Sequence, residues 1–233
     1  MADGDTARRS PEEQRDDLQL LNQVMRHDIR NDLQLIGAYA ELLEEHVDEE
    51  GAEYLDIIRE STENATDLTA TARDLARVML NADEEVRKVS LAGILEQQIE
   101  EIRSGYPGAV IAVEGSIPEV DVAANDMLGS VLRNLLSNAI QHNDKSPPKV
   151  TVSASETDEG VEVRVADNGP GVPDAQKEEV FGKGEKGLES SGAGIGLYLV
   201  RSLVESYGGS VGVEDRRSGA EGAVFVVTLP VAE

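Results

Sequence analysis

The chain has 233 residues, with 46 acidic against 21 basic, a formal charge of −25, 3% aromatics and no cysteine. That balance excludes nucleic acid and anionic membrane surfaces as partners, because both are gripped through Lys and Arg. The missing cysteines exclude a disulfide framework and thiolate chemistry.

The length allows one large domain or two modest ones. There is no run of about 18 apolar residues to span a membrane, and Met1 to Asp17 lack the apolar core of a signal peptide. The expectation is therefore a soluble, cytoplasmic protein with no membrane segment in this chain. An acidic surface of this kind repels itself in dilute buffer and settles when salt screens it. It predicts the high-salt cytoplasm of a halophile.

In chain order, residues 1–15 read as a disordered leader or linker and residues 16–83 as a helical domain. Leu18, Leu21, Met25, Ile29, Leu33, Ile36, Ala40, Leu43 and Val47 recur at steps of three and four, one face of a long helix ending near His46. Each residue turns a helix by roughly 100°, which puts His27 nearly opposite the middle of that stripe. Asp28 is beside it, and Asn31 shares its exposed face one turn on. Gly37 is read as a tolerated interior glycine.

Asp48-Glu49-Glu50-Gly51 reads as a turn. In the next helix Tyr54, Ile58, Ser61, Ala65, Leu68, Ala72, Leu75 and Met79 form a heptad seam. Two such helices joined by a short turn make an antiparallel hairpin. One hairpin cannot bury both seams, which predicts a homodimeric four-helix bundle with His27 outside.

Residues 84–233 change character to alternating strands and helices. Strands are expected at 87–91, 109–114, 119–122, 149–155, 160–166, 210–214 and 223–229. Helices are expected at 92–104, 124–142 and 195–207, with a Gly-rich irregular region at 167–194. This pattern predicts an α/β sandwich with a mixed sheet and helices on one face.

Four stretches of this second domain could carry chemistry. Asn134 and Asn138 lie one turn apart on a buried-looking helix, where amides need partners. A carboxamide oxygen such as that of Asn138 can occupy a metal position, and Mg²⁺ takes oxygen ligands while keeping waters. Asp167-Asn168-Gly169-Pro170-Gly171 ends a strand; an acid there can accept from an exocyclic amine, and glycines let backbone approach a flat ring.

Gly192-Ala193-Gly194-Ile195-Gly196-Leu197 precedes a helix, where free N–H groups can cradle phosphate. Between these stretches, Phe181 to Gly187 reads as a lid. Lys183 and Lys186, two of the chain's six lysines, are counter-charges there for a polyphosphate.

Taken together, in this order, these stretches resemble the transmitter core of sensor histidine kinases from two-component systems, over about residues 15–233, with the composition of a halophilic-archaeal type. The resemblance implies ATP and Mg²⁺ as cofactors, a response regulator receiver domain as partner, a homodimer, and an upstream sensor domain or separate sensor protein. By it, His27 is similar to the phosphoacceptor, Asp28 to the acid that orients or deprotonates its imidazole, and Asn31 to the residue that positions water when such proteins act as phosphatases. Asn138 matches the Mg²⁺-binding asparagine and Asn134 its companion near the phosphates. Asp167 matches the reader of the adenine amine. Gly169 and Gly171, and Gly192, Gly194 and Gly196, match the two glycine boxes. Phe181 looks like the lid-anchoring phenylalanine.

Relatives of this fold that hydrolyse ATP carry a glutamate where Asn134 stands. An amide cannot act as a general base, which favours holding ATP for a histidine. The chain departs from the family pattern at Asp32, Gln141, Gly184 and Ala223. Where Gln141 replaces a frequent lysine, one phosphate contact is either missing or supplied by Lys183, Lys186 or His142. The alternative is a non-catalytic dimeric scaffold or phosphotransfer module with a decayed nucleotide site.

Overall fold

The computed structural model describes residue 29 and residues 31–80, 85–182, 195–216 and 219–232. The chain divides into two compact units, with the break between Leu80 and Asn81.

In the first unit α1 occupies residues 31–43 and ends in one 3-10 turn, Glu44–His46. After Val47 the chain reverses into α2, Glu49–Leu80. The expected four-residue turn is shorter, because Glu49 to Gly51 belong to the helix. The Asp48 carboxylate accepts the Gly51 N–H at 3.0 Å, and the Asp48 carbonyl accepts that of Ala52 at 2.9 Å. Asp48 thus caps α2, and Glu49 and Glu50 sit favourably at the positive end of its dipole. A Cβ on Gly51 would lie 2.7 Å from that of Val47, so glycine is what lets Val47 fold over the helix start.

Arg59 of α2 pairs with Glu44, and Gly37 of α1 faces Thr62. A Cβ at Gly37 would touch Thr62 at an ordinary 3.9 Å, so packing does not demand a glycine there.

Ala40 and Leu55 are buried within the hairpin. On the seam of α2, however, Tyr54 is 59% exposed, Ile58 42% and Leu68 43%, and Ile29, Ile36 and Leu43 of the α1 stripe are exposed as well. Leu18, Leu21, Met25 and the Met79 side chain lie outside the described residues.

In the second unit β1 (Arg87–Ser90) pairs antiparallel with β3 (Asp121–Ala124), and Val231 bridges to Val122. The main sheet has the order β2-β4-β5-β7-β6. Its strands are β2 (Val110–Val113), β4 (Lys149–Thr157), β5 (Gly160–Asp167), β6 (Ser210–Asp215) and β7 (Ala223–Leu229). β2 runs parallel to β4 and the other pairs are antiparallel, giving the expected mixed sheet. Helices α3 (Leu91–Gly105), α4 (Leu128–Gln141) and α5 (Gly196–Ser206) pack in sequence along one face.

α4 supplies Leu128, Val131, Leu132, Leu135, Leu136 and Ala139 to the core, the spacing of one helical face. Each fully buried Leu is worth about 1.5–3 kcal/mol. β5 alternates, with Val161, Val163 and Val165 inward.

Several expected boundaries moved, with β4 running on to Thr157 rather than 155. The strand placed at 119–122 is two residues later, and α4 begins at Leu128 rather than 124. Asn125 explains the shift of α4: its side-chain oxygen accepts the Met127 N–H at 2.9 Å and the Tyr207 hydroxyl at 2.5 Å. That turn separates β3 from α4 and ties the end of α5 to the start of α4.

Candidate functional site

β5 places the central acid. Its alternation carries on past Val165, so Asp167 also points to the helix side and is buried. Its Oδ1 accepts two backbone N–H groups, Gly169 at 2.8 Å and Ala223 at 3.2 Å. The other carboxylate oxygen has no hydrogen bond among the described residues. Burial pushes the Asp167 pKa above the usual carboxylate value; the Gly169 and Ala223 N–H groups and the Arg216 charge offset part of that rise.

Gly222 backs this arrangement. Its φ is +121°, and a Cβ there would sit 2.0 Å from the Asp167 carbonyl oxygen. Gly171, with φ +78°, turns the loop so that it passes close to Gly222.

α4 presents Asn134, Asn138 and His142 at steps of four, on one side of the helix. Asn134 is buried and donates through Nδ2 to the Ser130 carbonyl at 2.7 Å. Its Oδ1 lies 2.7 Å from where a Cβ on Gly196 would be, so glycine at 196 lets the first turn of α5 rest on Asn134. Asn138 is half-buried, and its carboxamide makes no hydrogen bond among the described residues. His142 is exposed on one side, while protein crowding on the other holds its pKa below the ordinary imidazole value.

Gln141 does not point toward an anion. Its Nε2 donates to the Tyr106 hydroxyl at 2.7 Å, toward the end of α3.

α5 begins at Gly196-Leu197, and its N-cap Ile195 supplies no side-chain hydrogen bond. The N–H groups of that first turn face outward from the helix end. Phe181 is buried edge-to-face on Phe225 of β7, with centroids 6.3 Å apart at 80°. These are the chain's two phenylalanines, and they pin the C-terminal end of the 168–182 segment to the sheet.

The fold therefore brings together Asn134, Asn138, His142, Asp167, Gly169, Gly171, Phe181, Gly196 and Leu197. Asn31 is exposed on α1, in the other unit. His27, Asp28, Lys183, Lys186, Gly192 and Gly194 lie outside the described residues. Gly222 and Asn143 were not anticipated, and Asn168 was read only as part of the Asp167 loop. The Gly219-Ala220-Glu221-Gly222 run before the last strand was the available signal for the first.

The donor set suits a nucleotide. One buried acid has a carboxylate oxygen without a hydrogen bond among the described residues, glycines stand where a Cβ would collide, and Ile195 gives the start of α5 no side-chain cap. No group of three or more acidic or His side chains that could hold a metal occurs among the described residues. A Mg²⁺ ion would lean on the Asn138 oxygen together with waters and phosphate oxygens, a mode that suits this ion.

Residues 17–80 match the His Kinase A phospho-acceptor domain, and residues 123–233 match the histidine kinase-, DNA gyrase B- and HSP90-like ATPase family. The sensor protein KdpD of Escherichia coli is 30% identical over 220 residues, covering 89% of this chain and 24% of KdpD. The C4-dicarboxylate transport sensor protein DctB of Rhizobium meliloti is 30% identical over 226 residues, covering 92% of this chain and 35% of DctB. The solved structure of full-length ShkA in complex with AMPPNP superposes with a TM-score of 0.61 at 30% identity, covering 91% of this chain and 46% of ShkA. The chain thus spans less than half the length of each of these three relatives. With a phospho-acceptor module followed by an ATPase module, it belongs to the sensor histidine kinases of two-component systems, whose transmitter core it comprises.

Proposed function

We propose that the chain is an ATP-dependent protein-histidine kinase. It phosphorylates its own His27 and passes the phosphoryl group to an aspartate on a response regulator receiver domain. The observation that carries this reading is the Asp167 carboxylate. One oxygen is held by the Gly169 and Ala223 N–H groups, and the other is left to accept the adenine amine. The AMPPNP bound by the similar ShkA supports the same site for ATP.

Asn138 contributes the amide oxygen for Mg²⁺, which supplies charge neutralisation on the phosphates when bound. Asn134 seats the start of α5 and provides no base to activate water, so the bound nucleotide is kept for transfer. Lys183 and Lys186 serve as the lid counter-charges, because Gln141 is engaged with Tyr106. Gly192 and Gly194 complete the glycine box that ends at Gly196. His27 is the acceptor, Asp28 orients its ring, and Asn31 positions water when the protein dephosphorylates its partner.

The exposed seams of α1 and α2 support a homodimer in which a second hairpin covers Tyr54, Ile58 and Leu68. The domain division we favour is residues 16–83 and 84–233. The charge of −25 supports a high-salt, halophilic cytoplasm. No helix among the described residues is long and apolar enough to cross a membrane. The signal reaches this core from an upstream sensor domain or a separate sensor protein.

The decayed-scaffold alternative is disfavoured by the intact surroundings of Asp167. Incubation with γ-labelled ATP and Mg²⁺ in high salt tests the reading. Label that acid removes and base preserves is expected; bound nucleotide with no label would count against the kinase.

A further inference from the structure

We infer that Asn143 is a positioning residue of the nucleotide site, acting through Asn168 to hold the Asp167 loop at a fixed distance from α4. The inference rests on the ATP-binding reading and specifies what sets the geometry of its adenine end.

Asn143 stands two residues past the end of α4. Its Nδ2 has two hydrogens, and both are used. One goes to the Ala139 carbonyl at 3.3 Å, in the last turn of the helix. The other goes to Asn168 Oδ1 at 2.9 Å, next to Asp167 in the loop after β5. Its own Oδ1 accepts the Lys145 N–H at 3.0 Å. Asn168 Oδ1 also accepts the Lys149 N–H at 2.7 Å, where β4 begins.

Contact as well as hydrogen bonding joins the two loops. A Cβ on Gly169 would lie 3.3 Å from Asn143 Cα and 3.4 Å from its Cγ, so the loop glycine rests directly on Asn143. The Asn143–Asn168 pair therefore joins the end of α4, the start of β4 and the exit of β5.

Only an amide does this here. Aspartate cannot donate, and serine has a single hydrogen and a shorter reach. The consequence is chemical. Asn138 and His142 lie on α4, while Asp167 and Gly169 lie on the loop, and a nucleotide must touch both. The Asn143–Asn168 bond is the side-chain link that fixes their spacing. A hydrogen bond weakens steeply as its distance and angle leave the optimum, so a displaced loop costs the contact to the adenine amine.

The test compares ATP with inosine triphosphate, which has a carbonyl in place of the adenine amine. Binding of each to the full chain with Mg²⁺ is measured by calorimetry, for wild type, Asn143→Ala, Asn168→Ala and the double variant. Wild type is expected to prefer ATP. Asn143→Ala is expected to lose ATP affinity by roughly fivefold or more while binding inosine triphosphate within about twofold of wild type, so the preference collapses. The effects of the two single variants on ATP preference are expected to be less than additive in the double variant, because both remove the shared Asn143–Asn168 bond.

A merely structural role would lower both affinities in parallel with melting temperature. That result, or a preference for ATP surviving intact in Asn143→Ala, overturns the inference alone. Absence of any preference in wild type sinks the adenine-reading role of Asp167 together with it.

Discussion

Asp167→Asn should move binding and stability in opposite directions. The amide keeps an oxygen to accept the Gly169 and Ala223 N–H groups, at 2.8 and 3.2 Å, so the loop keeps its course. The second carboxylate oxygen becomes an NH₂ group, which meets the adenine amine donor to donor. A hydrogen bond to a charged group contributes about 1.5–3 kcal/mol, so ATP affinity should fall roughly ten- to a hundredfold.

Stability should rise. Burial is the largest influence on this acid and raises its pKa. The ionised form is thus the one the fold disfavours near neutral pH, and a neutral isostere removes that penalty. Calorimetry with ATP and Mg²⁺, paired with thermal melts of the free protein in high salt, reads both effects. Affinity falling by less than about threefold would refute the amine-accepting role. A lower melting temperature would refute the claim that burial outweighs the two N–H bonds.

The same acid sets a pH dependence. Because its folded pKa is raised, its contribution to stability is present at low pH and is lost as pH rises through that raised value. ATP binding requires the carboxylate and should weaken as pH falls through the same range. Titrated calorimetry should find that dependence in wild type and not in Asp167→Asn. Gly222→Ala should lower the melting temperature and ATP affinity together. A side chain at φ +121° costs about 1–3 kcal/mol, and its Cβ would push on the Asp167 carbonyl from 2.0 Å; an unchanged melt would refute this. Leu68→Asp puts a charge on the exposed seam of α2, and light scattering should find dimers for wild type and monomers for the variant. A monomeric wild type would refute the bundle.

The periodic parts of this fold were legible from sequence. The helix around Asn134 and Asn138 and the alternation of β4 and β5 announce themselves because burial imposes their spacing, and the apolar stripes of α1 and α2 mark helices even though Tyr54, Ile58 and Leu68 stay exposed on the hairpin. The boundaries were less legible where a side chain rather than a period decides them. Asp48 recruits Glu49 to Gly51 into α2, and Asn125 delays α4 by turning the chain first.

The site divides the same way. Asp167 and its glycines stand in one short run and could be read together. Gly222 could not be joined to Asp167 without the β5–β7 pairing that brings position 222 beneath it. Asn143 and Asn168 are separated by 25 residues, and either alone looks like an ordinary loop asparagine. Gln141 was expected to leave a gap among the phosphate contacts. The structure gives its amide a different task, against Tyr106.

The central claim is that the nucleotide held at Asp167 supplies a phosphoryl group to His27. The direct measurement is autophosphorylation with γ-labelled ATP and Mg²⁺ in high salt, comparing wild type, His27→Ala and Asp167→Asn. The account predicts acid-labile, base-stable label on wild type, none on His27→Ala although it still binds ATP, and slow labelling of Asp167→Asn that recovers with raised ATP. Equal labelling of wild type and His27→Ala would contradict it.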